Sequence, residues 1–457
     1  MKNMVAGNSW RTSVREYSHP RVVGVFFMGI SSGFPLTLLL SSLGFWLIDE
    51  GVSKSTIGLL TLSLVPYFLK FIWAPALDSL RLPLLHKFLG RRRSWFVVIQ
   101  VGLAFSIIGL ASASPGDDPV YFGLMAMIVC FMSASQDLVI DAYRIEILKD
   151  EEMPAGAAMT QFGYRVGNLI AGVVTLKFAD WYGWDVAYMS MPLLLLFGLV
   201  PILIFGEPIL RGKHLIEKEM DTVRGWMSKD GQQAGTYDKI VENIYMTVIV
   251  PFKEFIQRPG WWVILLFILL LKVGDSMAAV MTAPLIGDLG FSKDEIIWAN
   301  KTVGFVAVLL GAFCGGVVLN RLGTYRGLMV AAVLMMVTNL SFAVLAENGR
   351  NLDLLVFTIG FENFATGMGG TIAIAYLSGL CNKAYTVTQY ALLSAFASLG
   401  RLMIGAPSGF MQESIGYTEF FLLTTVAAVP GIVLLIVMNR MGYVGDRLTL
   451  SGDNSKD

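Results

Sequence analysis

The chain has 457 residues, of which 55% are hydrophobic and only 15% are charged. Soluble domains carry about 45–50% apolar and about 25% charged residues, so this composition excludes an ordinary soluble enzyme or binding domain. Acidic and basic residues are equal in number, which indicates neither a nucleic acid nor another strongly charged partner. The composition therefore predicts an integral membrane protein whose outer surface faces the lipid bilayer.

Twelve apolar segments follow one another along the chain, each long enough for a membrane-spanning helix of about 20 residues. The predicted spans are 22–47, 56–77, 95–113, 119–147, 156–178, 186–205, 260–286, 295–319, 326–346, 352–379, 387–411 and 418–438. The N-terminal stretch lacks the short apolar core and cleavage site of a secretory signal, so we interpret it as a tail. Most Lys and Arg residues lie in the tails and the even-numbered loops, which predicts that both termini are cytoplasmic.

The two halves of the chain resemble each other. Gly51-Val-Ser-Lys-Ser-Thr-Ile57 matches Gly290-Phe-Ser-Lys-Asp-Glu-Ile296, Ala142-Tyr143 matches Ala375-Tyr376, and Gly167, Gly172 and Gly183 match Gly400, Gly405 and Gly416. Six spans followed by six related spans form a parallel repeat, as in the major facilitator superfamily. The predicted fold is therefore all-α, with twelve transmembrane helices in two six-helix bundles related by a pseudo-twofold axis, and we expect a monomer.

Four regions are predicted. They are an N-terminal bundle over 1–206, a cytoplasmic linker over 207–258, a C-terminal bundle over 259–441 and a cytoplasmic tail over 442–457. Apolar residues recur at helical spacing between 240 and 256, so the linker is predicted to contain an amphipathic helix on the inner leaflet, kinked at Pro251. The alternative is a plain tether.

The positions of the cysteines and histidines limit which residues are able to bind a metal or carry a proton. The three cysteines lie in or beside apolar spans without the spacing of metal ligands, so no metal or cofactor is predicted. The three histidines are His19, His86 and His214, and all fall outside the spans. A proton that crosses the membrane with this protein must then be carried by a carboxylate.

The fourth span holds the densest group of polar residues, Gln136-Asp-Leu-Val-Ile-Asp-Ala-Tyr-Arg144. Asp137 and Asp141 are four residues apart and share a helix face, and Arg144 continues this stripe. Two desolvated carboxylates repel, so one takes up a proton more readily while the arginine keeps the other ionised. Asp137 is the predicted proton carrier, and Asp141–Arg144 is the predicted fixed pair. The alternative is a purely structural pair.

Two further carboxylates are reserve proton sites. Asp275 in span 7 lies three residues after Lys272, so the two are able to neutralise each other along the helix. Glu362 in span 10 is the other reserve, with Lys301 of span 8 as an alternative salt-bridge partner.

Charged residues inside spans mark functional sites by default, because they are costly in lipid. Lys70, Arg165 and Arg401 are predicted to hold an anionic, hydroxyl-rich ligand, with amides bonding hydroxyl groups and rings stacking on sugars. The alternative is that each cation only neutralises a buried carboxylate. The other predicted substrate-binding residues are Ser31, Ser32, Tyr67, Gln136, Gln161, Tyr164, Asn168, Tyr376 and Gln389.

A gate is predicted where spans 2 and 8 end. Asp78 is followed by the basic run Arg91, Arg92 and Arg93, and Asn320 with Arg321 forms a weaker copy in the second half. A carboxylate there is able to pair with the basic loop and to cap the N-terminus of a neighbouring helix.

Several of these motifs together resemble the AmpG-type muropeptide permeases. They are Ser31-Ser-Gly-Phe-Pro-Leu36, Lys70-Phe-Ile-Trp-Ala-Pro75 with Asp78, Gly90-Arg-Arg-Arg93, Gln136 to Arg144, Gly163-Tyr-Arg165 and Gln389-Tyr-Ala-Leu-Leu-Ser394. The resemblance implies proton-driven import of N-acetylglucosaminyl-1,6-anhydro-N-acetylmuramyl peptides across the bacterial inner membrane, for cell-wall recycling.

Three alternatives remain at this stage. The same motifs are similar to those of the acetyl-CoA transporters, so a carrier of acetyl-CoA or another anionic metabolite is the second transporter hypothesis. An integral-membrane enzyme would need a catalytic cluster at a membrane face, and the short loops contain none, so the protein is predicted not to be an enzyme. A non-transporting receptor is the third alternative.

Overall fold

The computed structural model describes residues 10–52, 61–113, 115, 118–208 and 245–444, and every regular element within these ranges is helical. Residues 10–208 form the N-terminal half. Its α-helices are α1 (Trp10–Arg15), α2 (Pro20–Thr37), α3 (Leu43–Asp49), α4 (Val65–Leu69), α5 (Ala74–Ser79), α6 (Leu85–Leu89), α7 (Arg91–Ala111), α8 (Pro119–Ile147), α9 (Met153–Tyr182), α10 (Trp184–Ser190) and α11 (Leu196–Phe205).

Residues 245–444 form the C-terminal half. Its α-helices are α12 (Val250–Ile256), α13 (Trp261–Leu270), α14 (Val273–Asp288), α15 (Lys293–Ile297), α16 (Phe305–Asn348), α17 (Leu352–Leu380), α18 (Thr386–Gly405), α19 (Ser408–Ile415) and α20 (Tyr417–Met441). Short π-helical segments precede α12 and α16, at Tyr245–Ile249 and Trp298–Gly304.

Eight helical segments in the described residues are long and apolar enough to cross a membrane. One of them, Lys293–Asn348, covers two predicted spans, and Gly323 with a φ of 78° turns the chain between them. Only glycine adopts this backbone conformation without strain. The helices α9 and α17 have 30 and 29 residues, enough to span a bilayer, but their polar residues lower their hydropathy. The count of twelve spans stays a prediction.

Prolines and π-helical segments interrupt the spans that approach the centre of the molecule. Pro35 lies inside α2, and the π-helical segment Leu38–Ser42 follows it before α3 begins. The second span contains Pro66 and Pro75 and changes from α4 to a 3-10 segment, Lys70–Ile72, before α5. Because proline removes a backbone donor, it disrupts a helix and leaves polar backbone available at such points.

Close helix contacts build each half. A Cβ atom on Gly29 of α2 would lie 2.7 Å from the Thr160 carbonyl oxygen of α9, so α2 and α9 cross where only glycine fits. Across the halves, α9 packs on α16 and α17, while α18 packs on α8 and α5. These crossings bring α2, α8, α9, α17 and α18 together at the centre of the molecule.

The two ends of the molecule differ in how the halves meet. We call the end where α2 begins and α20 ends the terminal face, and the other end the opposite face. At the terminal face the Tyr17 hydroxyl donates to the Phe313 carbonyl at 2.8 Å, and Lys383 Nζ lies 3.0 Å from Asp150 Oδ1. Both contacts join one half to the other.

At the opposite face, the polar contacts of the described residues stay within one half. Trp184 Nε1 donates to Asp49 at 2.9 Å, and the Tyr417 hydroxyl donates to Asp288 at 2.6 Å. Among the described residues, the polar contacts that join the two halves therefore lie at the terminal face and not at the opposite face.

The predicted linker is described at residues 207–208 and from residue 245 onward, so the part of the amphipathic helix before Tyr245 lies outside the described residues. Residues 245–256 are helical, changing from π to α geometry immediately before Pro251. Val250, Pro251 and Phe255 are buried, whereas Ile249 and Ile256 are about half exposed. One face of this helix packs on protein and the other is open.

Candidate functional site: a cavity between the two halves

A cavity of about 200 Å³ lies between the two halves. It is lined by Ser32, Asp137, Ile140, Asp141, Thr160, Gln161, Tyr164, Ile374 and Tyr390. The first seven belong to α2, α8 and α9 of the N-terminal half, and the last two belong to α17 and α18 of the C-terminal half. Polar groups therefore concentrate on the N-terminal wall, while the C-terminal wall contributes an aliphatic side chain and an aromatic ring.

Asp137 is held by hydroxyl groups from two other spans. The Ser32 hydroxyl donates to Oδ1 at 2.5 Å, and the Tyr67 hydroxyl donates to Oδ2. Lys70 Nζ lies 5.6 Å from the centre of the Tyr67 ring, and its positive charge acts on Asp137. The carboxylate therefore has both oxygens engaged and a cation nearby, in a pocket that opens on the cavity.

One helical turn further along α8, Asp141 pairs with Arg144. The distance from Arg144 Nη2 to Asp141 Oδ1 is 3.1 Å, and the Arg144 side chain is completely buried. The Arg144 guanidinium lies 5.7 Å from the centre of the Tyr390 ring, a cation–π contact across the two halves. The i,i+4 stripe predicted from the sequence thus lies on the cavity face of α8.

The second group of charges lies around α14, α17 and α9. The charged neighbours of the partly buried Lys272 include Asp275, Arg401, Arg165 and Glu362. Glu362 accepts a hydrogen bond from the Thr366 hydroxyl at 2.9 Å. The group consists of three cations and two carboxylates, and both halves contribute to it.

In the described part of the chain, no member of this group is among the residues that line the central cavity. Asp275 contacts a separate small cavity between α14, α16 and α20. Arg401 is exposed on α18, and Lys301, the alternative partner of Glu362, is also exposed and is not among the charged groups facing it.

Five predicted substrate-binding residues point away from the central cavity. Ser31 and Gln136 are completely buried in the N-terminal half, where Gln136 Nε2 donates to Ser31 Oγ at 2.8 Å. With its amide nitrogen turned toward α2, Asn168 donates to Thr37 Oγ1 at 2.9 Å. Tyr376 lies in the core of the C-terminal half, edge-to-face with Phe267.

Gln389 is the fifth, and it connects α18 to the end of the linker. Its amide nitrogen donates to the Pro251 carbonyl at 3.1 Å and to Glu254 at 2.5 Å, while its oxygen accepts from the Asn382 backbone at 2.7 Å. Glu254 also pairs with Arg258 at 2.6 Å. We call Pro251, Glu254, Arg258 and Gln389 the linker clamp. These contacts satisfy the Gln389 amide and leave it no role in the cavity wall.

The predicted gate forms a buried network at the terminal face. Arg92 Nη2 lies 2.7 Å from Asp78 Oδ1 and 2.5 Å from Glu146 Oε1. The other Asp78 oxygen accepts from the Thr388 backbone nitrogen and hydroxyl, each at 2.8 Å. Thr388 lies in the first turn of α18, so Asp78 of one half caps a helix of the other half. We call Asp78, Arg92, Glu146 and Thr388 the latch.

The remaining predicted gate residues differ in their hydrogen-bond partners. Arg91 donates to the Asp78 carbonyl oxygen and joins the latch, whereas Arg93 donates to the Leu203 carbonyl at 3.3 Å and points away from it. Asn320 donates to the Glu151 carbonyl at 3.3 Å, next to the start of α9. The Asn320 contact is the counterpart of the Asp78 contact, because span 8 corresponds to span 2 and span 5 to span 11. Arg321 follows Asn320 on the same helix.

Sequence reasoning missed several residues of these networks, four of them around the latch and the fourth span. Glu146 and Thr388 complete the latch, Tyr390 covers Arg144, and Gln100 accepts from Gln136 at 3.2 Å. Glu146 and Gln100 left a signal, since each is a polar residue within or at the end of an apolar span. Thr388 left none, because a threonine is ordinary in such a helix, whereas Tyr390 lies within the motif Gln389 to Ser394 but was not assigned a role.

Comparison with known families identifies relatives of this chain. The profile described as Major Facilitator Superfamily matches residues 24–286. The chain is 34% identical to the anhydromuropeptide permease of Escherichia coli (strain K12), over 93% of this chain and 81% of the relative. It is 30% identical to a putative transporter, AmpG 4, of Rickettsia conorii, over 92% of this chain and 96% of the relative.

Solved structures share the fold at low sequence identity. The proton:xylose symporter XylE, bound to 6-bromo-6-deoxy-D-glucose, has a TM-score of 0.65 at 14% identity and covers 95% of this chain and 97% of its own. A bacterial homologue of the iron transporter ferroportin in an outward-facing state has a TM-score of 0.64 at 12% identity, covering 92% of this chain and 98% of its own.

Proposed function

Because this chain belongs to the major facilitator superfamily and, within it, to the family of the anhydromuropeptide permease, we propose that it imports anhydro-muropeptides together with protons. The substrates are N-acetylglucosaminyl-1,6-anhydro-N-acetylmuramyl peptides, carried across the bacterial inner membrane. Both termini, and hence the terminal face, lie in the cytoplasm, and the protein works as a monomer without a cofactor.

The observation that carries the proton coupling is the setting of Asp137. Its carboxylate borders the cavity, with Ser32 and Tyr67 as hydrogen-bond donors and Lys70 and Asp141 as charged neighbours. A carboxylate that borders the transport pathway is able to gain a proton on one side of the membrane and lose it on the other. Asp137 is the proton carrier of this proposal, and Glu362 and Asp275 are the reserve sites.

The substrate site of this proposal is the cavity and its rim. Ser32, Gln161 and Tyr164 supply hydroxyl and amide groups for the sugars, and Lys70, Arg165 and Arg401 supply positive charge for the carboxylates of lactyl-peptide substituents. Replacing each cation with Gln weakens substrate binding in detergent if this assignment holds. Normal binding by all three variants would contradict it.

An exchange experiment with an Asp137→Asn variant separates proton coupling from binding. The amide mimics a protonated carboxylate, so the variant fails to accumulate substrate under a pH gradient yet still exchanges external for internal substrate. The matched control is Asp353→Asn, which alters an exposed carboxylate at the start of α17 and leaves accumulation unchanged. Accumulation by the Asp137 variant under a proton gradient alone would move the proton site to Glu362 or Asp275.

A further inference from the structure

Arg144 carries more hydrogen-bonding capacity than the structure uses. Its side chain is completely buried, its Nη2 atom contacts Asp141 at 3.1 Å, and its Nε and Nη1 atoms have no hydrogen-bond partner. A buried donor without a partner destabilises the structure, and it does so more strongly when the group is charged. An arrangement this costly is expected where another conformation or a ligand supplies the missing acceptors.

The geometry of the guanidinium group defines which acceptor fits. An arginine binds a carboxylate through two nitrogens on one edge of its planar group. One edge is formed by Nε and Nη2 and the other by Nη1 and Nη2, so each edge has one free nitrogen and both share the nitrogen that Asp141 occupies. Because Nη2 carries two hydrogens, one directed along each edge, a second carboxylate is able to bind the edge that Asp141 leaves free.

The cover over Arg144 belongs to the other half of the molecule. The Tyr390 ring lies 5.7 Å from the guanidinium, and Tyr390 is two residues after Thr388, which Asp78 caps in the latch. Because both residues sit on the first turns of α18, opening the latch at the terminal face moves the ring away from Arg144. In the described conformation the cavity reaches Asp141 and Tyr390, but Arg144 is closed off behind them.

We propose that Arg144 is a covered carboxylate site, which α18 uncovers when the terminal face opens and which then binds a carboxylate of the departing substrate beside Asp141. This inference rests on the proposed import of anionic sugar peptides. It adds a site on the exit side of the cavity that acts in one conformation and is closed in the other. The site selects ligands that have a free carboxylate over their neutral analogues.

Removing the cover tests this site directly. Tyr390→Leu removes the ring, and Tyr390→Phe keeps it as a matched control. The ligands are the disaccharide-tripeptide with free terminal carboxylates and the same molecule with those groups amidated. Tyr390→Leu raises the affinity for the free acid about tenfold, as one added charge-assisted hydrogen bond would, and leaves the affinity for the amide unchanged. Combining it with Arg144→Gln abolishes the gain.

The other possible outcomes distinguish a failure of the covered site from a failure of the proposed function. An equal gain for acid and amide, or a gain that survives Arg144→Gln, overturns the covered site, because the effect then comes from a general shift between conformations. Wild-type protein that binds and transports neither ligand contradicts the proposed function instead. In that case, labelling with the arginine reagent phenylglyoxal still tests the site by peptide mass spectrometry. Arg144 reacts faster in Tyr390→Leu than in Tyr390→Phe, and equal rates contradict the proposal.

Discussion

The terminal face and the opposite face are built from corresponding segments of the two halves but differ in their polar contacts. At the terminal face, Asp78 caps α18 across the halves, and Lys383 pairs with Asp150. At the opposite face, the described contacts, such as Arg350 with Glu295 at 3.1 Å, stay within a half. The contacts across the terminal face have to break for the molecule to change state. At the opposite face, contacts between the halves have to be absent for the cavity to stay open.

The pseudo-twofold axis explains where the cross-half contacts lie. Lys383 and Asp150 are 233 residues apart, the same spacing that separates Gly167 from Gly400 and other repeated positions. They are therefore equivalent residues, one before α18 and one before α9, that meet at the axis with opposite charges. A repeat that places identical charges there would repel itself, so divergence of the two halves at this position permits the contact.

The largest expected effect comes from removing the buried cap. Asp78→Ala leaves Arg92 with one carboxylate partner and the first turn of α18 without its acceptor, which costs about 2–3 kcal/mol of the terminal-closed conformation. We expect spin-label distances across the terminal face to shift toward the open form by at least tenfold in population. Substrate affinity changes less than the distribution does.

The control for this variant is a cap that stays within one half. Asp118 accepts from the Tyr121 backbone at 2.9 Å and caps α8 at the opposite face. Asp118→Ala lowers stability by about 1 kcal/mol through the lost cap without changing the distances across the terminal face. If both variants shift the distances equally, the latch holds no special place in the conformational balance.

A smaller effect is expected at the linker clamp, which lies beside the latch but within the C-terminal half. Gln389→Ala removes the hydrogen bonds to Pro251 and Glu254, which costs about 1–2 kcal/mol of stability. We expect a lower melting temperature with an unchanged dissociation constant for substrate. A large loss of substrate affinity at unchanged stability would instead indicate that Gln389 contacts the substrate.

The smallest effect is expected at the axis pair. The side chains of Lys383 and Asp150 are 25% and 47% exposed, and such pairs contribute roughly 0–1 kcal/mol and weaken with salt. Lys383→Glu therefore opens the terminal face slightly, and adding Asp150→Lys restores the balance. If Lys383→Glu changed the spin-label distances across the terminal face as much as Asp78→Ala does, the exposed charge pair and not the buried cap would hold the halves together.

The sequence predicts most of the architecture and part of the site. Helical spacing places Asp137, Asp141 and Arg144 on one face, because that relation is internal to a single helix. Whether a helix face turns toward the cavity depends on the neighbouring helices, and spacing along one helix does not reveal it. Some residues predicted to bind substrate therefore lie elsewhere in the structure. Ser31 and Ser32 are adjacent, yet Ser32 contacts Asp137 while Ser31 is buried against Gln136.

Contacts between distant segments are the part that spacing does not reveal. Gln389 occurs within a recognisable motif, but its partners are Pro251 and Glu254, which belong to the linker and its helix. Tyr390 covers Arg144 because α18 crosses α8, a relation set by the packing of the two halves. The latch is the exception, because a carboxylate at the end of a span and a basic run in the next loop leave a readable signal.

The central claim is that a proton gradient drives anhydro-muropeptide import through this protein, and uptake into proteoliposomes tests it most directly. Purified protein is reconstituted and supplied with the radiolabelled disaccharide-tripeptide, with and without an inwardly directed pH gradient. The account predicts accumulation above the external concentration only with the gradient, and its loss when a protonophore is added. Accumulation that is independent of the gradient, or uptake of acetyl-CoA in preference to the muropeptide, would contradict it.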